Sequence, residues 1–166
     1  MSAVSKSKTT AKAPKLVDQY FAKYAESHQN KTNKLIHWIC VPAIVFSLIG
    51  LMWSIPVPWS YQFLNWASFG IAFSLYYYWR LSQPLALVML IIIGLFSAIY
   101  VLIEQQIGLS GLAILCAVVF VISWVFQFIG HKIEGKKPSF LDDVKFLLIG
   151  PIWLLHFLFK KLGISY

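Results

Sequence analysis

Four histidines are the only imidazole side chains in this chain of 166 residues, and their chemistry is that of metal ligands: His28, His37, His131 and His156. Imidazole is the commonest protein ligand for metal ions, and near pH 7 it is largely neutral, so it binds a metal without a large cost of deprotonation. The four residues are far apart in the sequence. They form one site only if the fold brings them together, so the helices that carry them have to be placed first.

The composition predicts an integral membrane protein of the all-α class. Hydrophobic residues make up 59% of the chain and charged residues 12%, whereas roughly a quarter of the residues of a soluble domain are charged. A helix needs about 20 apolar residues to cross the hydrocarbon core of a bilayer. Four stretches without Asp, Glu, Lys or Arg approach that length, which predicts a polytopic protein with four transmembrane helices over residues 35–53, 62–79, 84–103 and 111–130.

The lysines predict the orientation of a single integral membrane domain, residues 15–166. Seven lysines precede the first span and six follow the fourth, and Arg80 lies between the second and third. Under the positive-inside rule both termini and the Arg80 turn are cytoplasmic, and residues 1–14 are expected to form a disordered cytoplasmic tail. The net charge is +8, but lysines beside membrane helices meet anionic headgroups first, so no nucleic-acid partner is expected. Short loops favour a bacterial inner membrane, or the endoplasmic reticulum if the source is eukaryotic.

Two more segments are predicted beside the four spans. Residues 16–28 place their apolar side chains on one helical stripe, which is typical of an N-terminal interfacial helix lying along the headgroups. Residues 140–162 contain an uncharged run that is too short to cross and is interrupted by Gly150 and Pro151. We predict a Pro-broken C-terminal helix, interfacial or re-entrant, that dips into the inner leaflet and returns. The alternative is a fifth span, which would leave two lysines on the outer side.

The link between His28 and His37 must interrupt the helix if both histidines belong to one site. Nine residues of continuous helix at about 100° each would place the two rings on opposite faces. Asn30 is a credible helix-terminating residue, and Thr32 or Asn33 a credible N-cap for the first span. Asn33 also lies one turn before His37 and could hydrogen-bond to it.

Other polar residues fall near the histidines at the cytoplasmic face. Glu134 follows His131 by three residues, so the two can share a helix face and offer an imidazole and a carboxylate to one cation. Gln127 lies one turn before His131 and could support its ring by hydrogen bonding. Asp142 and Asp143 could add carboxylates, although first-turn acids that favour a helix N-terminus are the preferred interpretation.

The donor set indicates which metal to expect. Cys40 lies deeper in the first span than the histidines, which argues against sulfur-rich zinc or iron–sulfur sites. Imidazole with carboxylate and open coordination positions suits non-haem Fe(II), with Zn(II) as the second choice.

Two segments carry a family resemblance. YAESHQNKTNKLIHWICVPAI holds His, Asn and His before the first span, and GHKIEGKKPSFLDDVKFLLIGPIWLL holds Gly-His-x-x-Glu followed by Pro and paired Asp after the last. With the histidine that follows, these segments resemble the Mpo1-like family of 2-hydroxy fatty acid dioxygenases, from about Tyr20 onward. The resemblance implies an Fe(II)-dependent dioxygenase that removes one carbon from a 2-hydroxy fatty acid, as in fatty acid alpha-oxidation and phytosphingosine breakdown. It also implies that the metal-binding and catalytic histidines are His28, His37, His131 and His156.

The implied partners are a 2-hydroxy fatty acid, O2 and membrane lipid. A 2-hydroxy acid can chelate iron through its carboxylate and α-hydroxyl and leave a position for O2. The sequence contains no Gly-rich nucleotide loop or flavin motif, so the electrons are expected to come from the substrate. Lys132, Lys136 or Lys137 could steer the carboxylate, although their simpler role is that of positive-inside charges.

Two other functions stay open at this point. A zinc-dependent membrane lipid hydrolase could use a similar ligand set with a metal that has no redox chemistry. A non-enzymatic scaffold or transporter is the second alternative, but a transporter should have polar or broken segments near the bilayer centre, and the second and third predicted spans contain few polar residues.

Overall fold

The computed structural model describes residues 13–58, 64–141 and 144–166, and within these ranges the chain is helical and contains no strand. Its elements are α1 (Leu16–Ala25), α2 (Lys31–Trp53), α3 (Trp66–Leu81), α4 (Gln83–Glu134), a 3-10 helix (Ser139–Leu141) and α5 (Phe146–Lys161). The predicted all-α class is confirmed. Most of the predicted N-terminal tail, as well as Asp142 and Asp143, lies outside the described residues.

Two of these helices, α2 and α4, are long and apolar enough to cross a membrane. Many of their large apolar side chains face outward, such as Leu35 at 62% exposure and Ile114 at 67%, and a surface of this kind suits lipid better than water. The second predicted span corresponds to α3, which has only 16 residues. A membrane location is therefore plausible, whereas the number of crossings remains a prediction.

The third and fourth predicted spans are the two halves of α4, which is interrupted only at Gly108. Gly108 has φ 71° and ψ 173°, a conformation that glycine adopts without strain. Trp53, at the end of α2, donates to Glu104 at 3.1 Å, whereas Asn33, near its start, lies against Gly130. The chain therefore reverses direction near Gly108, and the predicted loop over residues 104–110 is a helical hairpin with one non-helical residue.

The link between α1 and α2 breaks the helix as predicted, but with different boundaries. Helix α1 ends at Ala25, so the prediction that it extends to His28 is wrong, and His28 lies in the connecting turn. Asn30 is the N-cap of α2, and its side chain accepts from the backbone N–H groups of Thr32 and Asn33 at 2.8 and 3.4 Å. An N-cap at Asn30 supplies acceptors to the first free N–H groups of α2.

Helix α5 runs through Gly150 and Pro151 without interruption, so the predicted break there is wrong. An internal proline removes one backbone hydrogen bond, but close packing offsets the loss. A Cβ atom at position 150 would lie 3.0 Å from the Tyr24 hydroxyl, so only glycine allows α1 to pack this closely on α5. Beyond α5, the Tyr166 hydroxyl donates to Asp18 of α1 at 3.1 Å.

Candidate metal centre

Three of the four histidines meet in a buried cluster at one end of the helices. His28 comes from the turn after α1, His37 from the second turn of α2, and His131 from the last turn of α4. One ring nitrogen from each lies within 4.8 Å of the other two. We call these three residues the histidine triad.

Backbone carbonyls fix the orientation of two of the rings. His28 Nδ1 lies 2.6 Å from the carbonyl oxygen of Tyr24, and His37 Nδ1 lies 2.9 Å from that of Asn33. A carbonyl oxygen only accepts hydrogen bonds, so Nδ1 carries the proton and donates in both rings. In the neutral rings each Nε2 then bears a lone pair, and the two Nε2 atoms face each other at 2.9 Å.

Two facing lone pairs repel, and a cation bound between the two Nε2 atoms would remove this repulsion. His28 is fully buried, and burial lowers its pKa to about 4, so a proton is a poor choice near pH 7. A metal ion fits the donors better, because it binds neutral imidazole and because ligand histidines commonly donate their other N–H to a backbone carbonyl. His131 adds a buried Nδ1 atom that has no hydrogen-bond partner among the described residues.

Aromatic side chains cover one side of the triad, at His28. The Tyr24 ring stacks on His28 with centroids 4.0 Å apart and an interplanar angle of 12°. Trp153 of α5 lies 5.4 Å from His28 on a tilted plane. A dry surrounding strengthens the attraction between a cation and its ligands and holds the rings in single orientations.

Glu134 does not join the triad; it anchors the turn that carries His28. One carboxylate oxygen accepts from the backbone N–H of Gln29 at 2.7 Å. The other accepts from the N–H of Asn30 at 2.8 Å and from the Asn33 side chain at 3.1 Å. Both oxygens therefore accept hydrogen bonds from the turn that carries His28 and from Asn33, and any role of Glu134 in supporting the cation remains a prediction.

Asn33 contacts His37 through its backbone carbonyl, so the predicted hydrogen bond to the ring comes from the main chain and not from the side chain. The side-chain amide instead donates to the carbonyl of Ser27 at 3.2 Å and to Glu134. Gln127 is 5% exposed and faces the space beside His37 and His131. Its place near the triad agrees with the sequence prediction, and its supporting role remains a proposal.

The structure does not bring His156 to the triad. Its ring stacks on Phe21 at 4.8 Å, and its Nδ1 donates to the carbonyl of Trp153 in the preceding turn. The Trp153 ring lies between, 5.4 Å from His28 and 6.0 Å from His156. His156 is thus buried where α5 packs against α1.

A small chamber of about 50 Å³ borders the triad and is lined by His37, Gln127, His131 and Trp124, among others. A water molecule needs about 10–15 Å³ of such space, so the chamber admits a few molecules of that size. The indole N–H of Trp124 is buried and has no partner among the described residues. Sequence reasoning missed Trp124, although its spacing of three from Gln127 and seven from His131 places all three on one helix face.

Two serines, also missed from the sequence, join the His28 turn to the 3-10 helix. The hydroxyls of Ser27 and Ser139 lie 2.6 Å apart, and Ser27 lies 3.2 Å from His28 Nδ1. They border a surface cleft of about 230 Å³ that Lys136 and Lys137 also line. Lys136 donates to the carbonyl of Glu26 at 2.8 Å, so it also fastens the end of α1.

Fold and site together define the class, which is an all-helical protein with membrane-compatible helices and a buried site of three imidazoles. Comparison with known families agrees, since residues 15–162 match the family model described as "2-hydroxy-palmitic acid dioxygenase Mpo1-like". The chain is also similar to the 2-hydroxy-palmitic acid dioxygenase MPO1 of Saccharomyces cerevisiae, with 32% identity over 146 residues, or 82% of this chain and 76% of the yeast protein. This chain belongs to the Mpo1-like family. No solved structure matches it.

Proposed function

We propose that this protein is a membrane-bound, Fe(II)-dependent dioxygenase that shortens 2-hydroxy fatty acids by one carbon. Membership of the Mpo1-like family supports the reaction class. The observation that supports a metal site is the pair of Nε2 atoms of His28 and His37, which face each other at 2.9 Å in a buried position. His131 would complete a set of three protein ligands, and a metal held by three ligands can also bind substrate.

Bound Fe(II) would supply a redox-active centre that takes both the 2-hydroxy acid and O2. The chain's own residues prepare that centre. The carbonyls of Tyr24 and Asn33 hold the Nδ1 protons away from the metal, so both Nε2 lone pairs point inward. Glu134 holds the His28 turn against the end of α4, and Tyr24 and Trp153 exclude water on one side.

The proposed reaction needs no outside reductant. One 2-hydroxy acid and one O2 balance as the acid shorter by one carbon, CO2 and H2O, with the electrons coming from the substrate. The small chamber beside His37 and His131 lies where O2 and the polar end of the acid would meet. The indole N–H of Trp124, which has no partner within the described ranges, could donate to an oxygen atom of that polar end.

The site also suits a substrate delivered from lipid. We propose four crossings, formed by α2, α3 and the two halves of α4, with both ends of the chain in the cytoplasm as the lysines predict. The triad then lies at the inner headgroup level, beside Lys136 and Lys137. A fatty acid rests in a bilayer with its carboxylate at this depth and its tail in the hydrocarbon.

Aerobic incubation of the purified protein with 2-hydroxypalmitate and Fe(II), followed by mass spectrometry, tests the proposal. We expect the fatty acid with one carbon fewer, and we expect its formation to stop in anaerobic samples and after chelation. Product formation that continues without O2 would overturn the dioxygenase assignment.

Metal analysis of protein purified without added metal, together with activity measurements, distinguishes the dioxygenase from a zinc-dependent lipid hydrolase. A zinc-dependent lipid hydrolase would retain activity with Zn(II) and would release an acid from an ester or amide without consuming O2. A dioxygenase should lose turnover when Zn(II) replaces Fe(II), because zinc has no redox chemistry.

A further inference from the structure

An apolar cavity of about 260 Å³ lies between α2, α3, α4 and α5. Its walls are almost entirely hydrocarbon, including Ile49, Met52, Ile71 and Phe120. Ser74 also lines it, but its hydroxyl donates to the carbonyl of Gly70 at 2.8 Å, so that polar group is already satisfied. We call this space the tail cavity.

The tail cavity adjoins the small chamber beside the triad. Four residues line both spaces: Ile44, Val45, Trp124 and Leu147. A molecule with its polar end beside His37 and His131 would therefore have the apolar space next to it, with only these shared side chains at the boundary. Metal ligands at one end and an apolar cavity leading away from them fit an amphiphile with a single hydrocarbon tail.

The length of the cavity agrees with such an occupant. On α2 the chamber begins at His37, and the tail cavity itself runs from Ile44 to Met52. Ile44 and Met52 are eight positions apart, or about 12 Å of helix. A lipid tail in one leaflet covers half of the hydrocarbon core, about 15 Å.

Met52 and Gly70 lie against each other at the far end of the tail cavity, which Ala67 also lines. A Cβ atom at position 70 would lie 2.8 Å from the terminal methyl carbon of Met52. The space at this end of the cavity therefore depends on the absence of a side chain at Gly70 of α3 and on the flexible side chain of Met52 on α2. Small changes at either position should alter the usable length of the cavity.

We infer that the tail cavity holds the hydrocarbon tail of the 2-hydroxy acid, and that Met52 and Gly70 set the longest tail that is accepted. The inference rests on the proposed function for the nature of the polar end. It adds a determinant of chain length that lies far from the triad.

The first test is the chain-length profile of Gly70→Leu over a series of saturated 2-hydroxy acids. The added side chain fills the far end, so kcat/KM for the longest acids should fall at least ~10-fold relative to the shortest, the size of effect that one excess methylene can have in a closed pocket. Gly94→Leu is the matched control, because a Cβ atom at that exposed position on α4 has no neighbour within 4 Å. The profile of Gly94→Leu should equal that of the wild type.

Met52→Ala tests the same end of the cavity in the opposite direction, and it keeps the inference falsifiable if Gly70→Leu folds poorly. Removing the Met52 side chain should extend the profile toward longer acids. If both folded variants show the wild-type profile, the tail lies elsewhere and the inference is wrong.

Binding of plain fatty acids without the 2-hydroxyl, measured by native mass spectrometry on metal-free protein, separates the cavity from the reaction. The longest acid retained should be shorter for Gly70→Leu than for the wild type or Gly94→Leu. If this holds while no 2-hydroxy acid is turned over, the tail cavity stands and the proposed reaction fails. If turnover is found but binding length is the same in all three proteins, the tail cavity is refuted and the reaction stands.

Discussion

At the scale of single residues, the direction of two N–H groups decides what the triad can bind. Tyr24 and Asn33 each use a backbone carbonyl to hold an Nδ1 proton, which leaves two Nε2 atoms facing each other. A backbone carbonyl cannot be removed by changing a side chain, so this tautomer is maintained by the course of the main chain itself. Substitutions of the rings test the arrangement directly.

His37→Ala and His131→Ala should each remove the bound metal and product formation. Even the loss of a hydrogen bond behind a ligand weakens metal binding by ~10–100-fold, so the loss of a ligand should cost at least ~100-fold. Metal content per folded protein and product yield are the measurements. His156→Ala is the control and should keep its metal, because Trp153 separates this residue from the triad; an equal loss of metal in this variant would contradict the three-ligand site.

Glu134→Gln should weaken metal binding by about 10-fold without changing the product. The carboxylate accepts from two backbone N–H groups of the His28 turn and from Asn33, and an amide replaces one of its two acceptor atoms with a donor. Metal titration measures the effect. Glu26 is an exposed acid that is paired with Lys23, and the control variant Glu26→Gln should bind metal as the wild type does. If Glu134→Gln also binds metal as the wild type does, Glu134 has no positioning role.

The sequence predicted that His28, His37 and His131 would gather, because topology and the need for a break at the first link could be argued from charge and spacing. It could not separate His156 from them. That separation arises because the Trp153 ring packs between α5 and the His28 turn, and side-chain packing of this kind leaves no signal in residue spacing. Ring orientation at His37 likewise depends on a main-chain carbonyl of Asn33.

At the scale of elements, close approach of α2 and α4 holds two of the three ligands in register. Gly130 precedes His131 and lies against Asn33, which is one turn before His37. The absence of a side chain at this crossing allows the two helices to meet near the triad. Gly130 belongs to the Gly-His-x-x-Glu motif, but its contact with Asn33 could not be predicted, because the neighbour of a helical glycine is known only once the helices are packed.

Gly130→Ala should destabilise the protein and lower its metal content together. The new Cβ atom would clash with the Asn33 side-chain oxygen, and overpacking of this kind costs about 1–3 kcal/mol. Thermal unfolding in detergent with parallel metal analysis measures both effects. Gly94→Ala is the matched control in the same helix: it meets no neighbour within 4 Å, and it should change stability by at most about 1 kcal/mol, in the favourable direction.

The helix boundaries show which helix ends the pattern of apolar and polar residues predicts correctly and which it does not. The end of the first span at Trp53 was predicted correctly, because Ser54 and the following prolines end the apolar run. The hairpin within α4 was expected to be a loop, because Glu104 and two glutamines interrupt the apolar pattern, yet the backbone needs only Gly108 to turn. The continuation of helix α5 through Pro151 depends on the packing of α5 against Tyr24.

At the scale of the whole molecule, the triad connects parts of the chain that are distant in sequence. His37 and His131 are separated by 94 positions, so an ion bound by both would tie α2 to the end of α4. Ligands that bind only the folded state stabilise it according to their concentration and affinity. The metal is therefore expected to act on folding as well as on chemistry.

Metal removal should lower the unfolding temperature of the wild-type protein and leave His37→Ala unaffected. At a free metal concentration 100-fold above Kd the expected stabilisation is about 2.7 kcal/mol. Thermal unfolding in detergent, with and without a chelator, measures it. An equal shift in both proteins would mean that the ion stabilises the fold from another place.

The contact between Asp18 and Tyr166 limits the number of times that the chain can cross a membrane. Asp18 precedes, and Tyr166 follows, every helix long enough to cross a bilayer, and one hydrogen bond of 3.1 Å joins their side chains. Two points that touch lie on the same side of a barrier, so the path between them passes through lipid an even number of times. If α2 and both antiparallel halves of α4 cross, parity demands a fourth passage, and the proposed four crossings assign it to α3, short as that helix is.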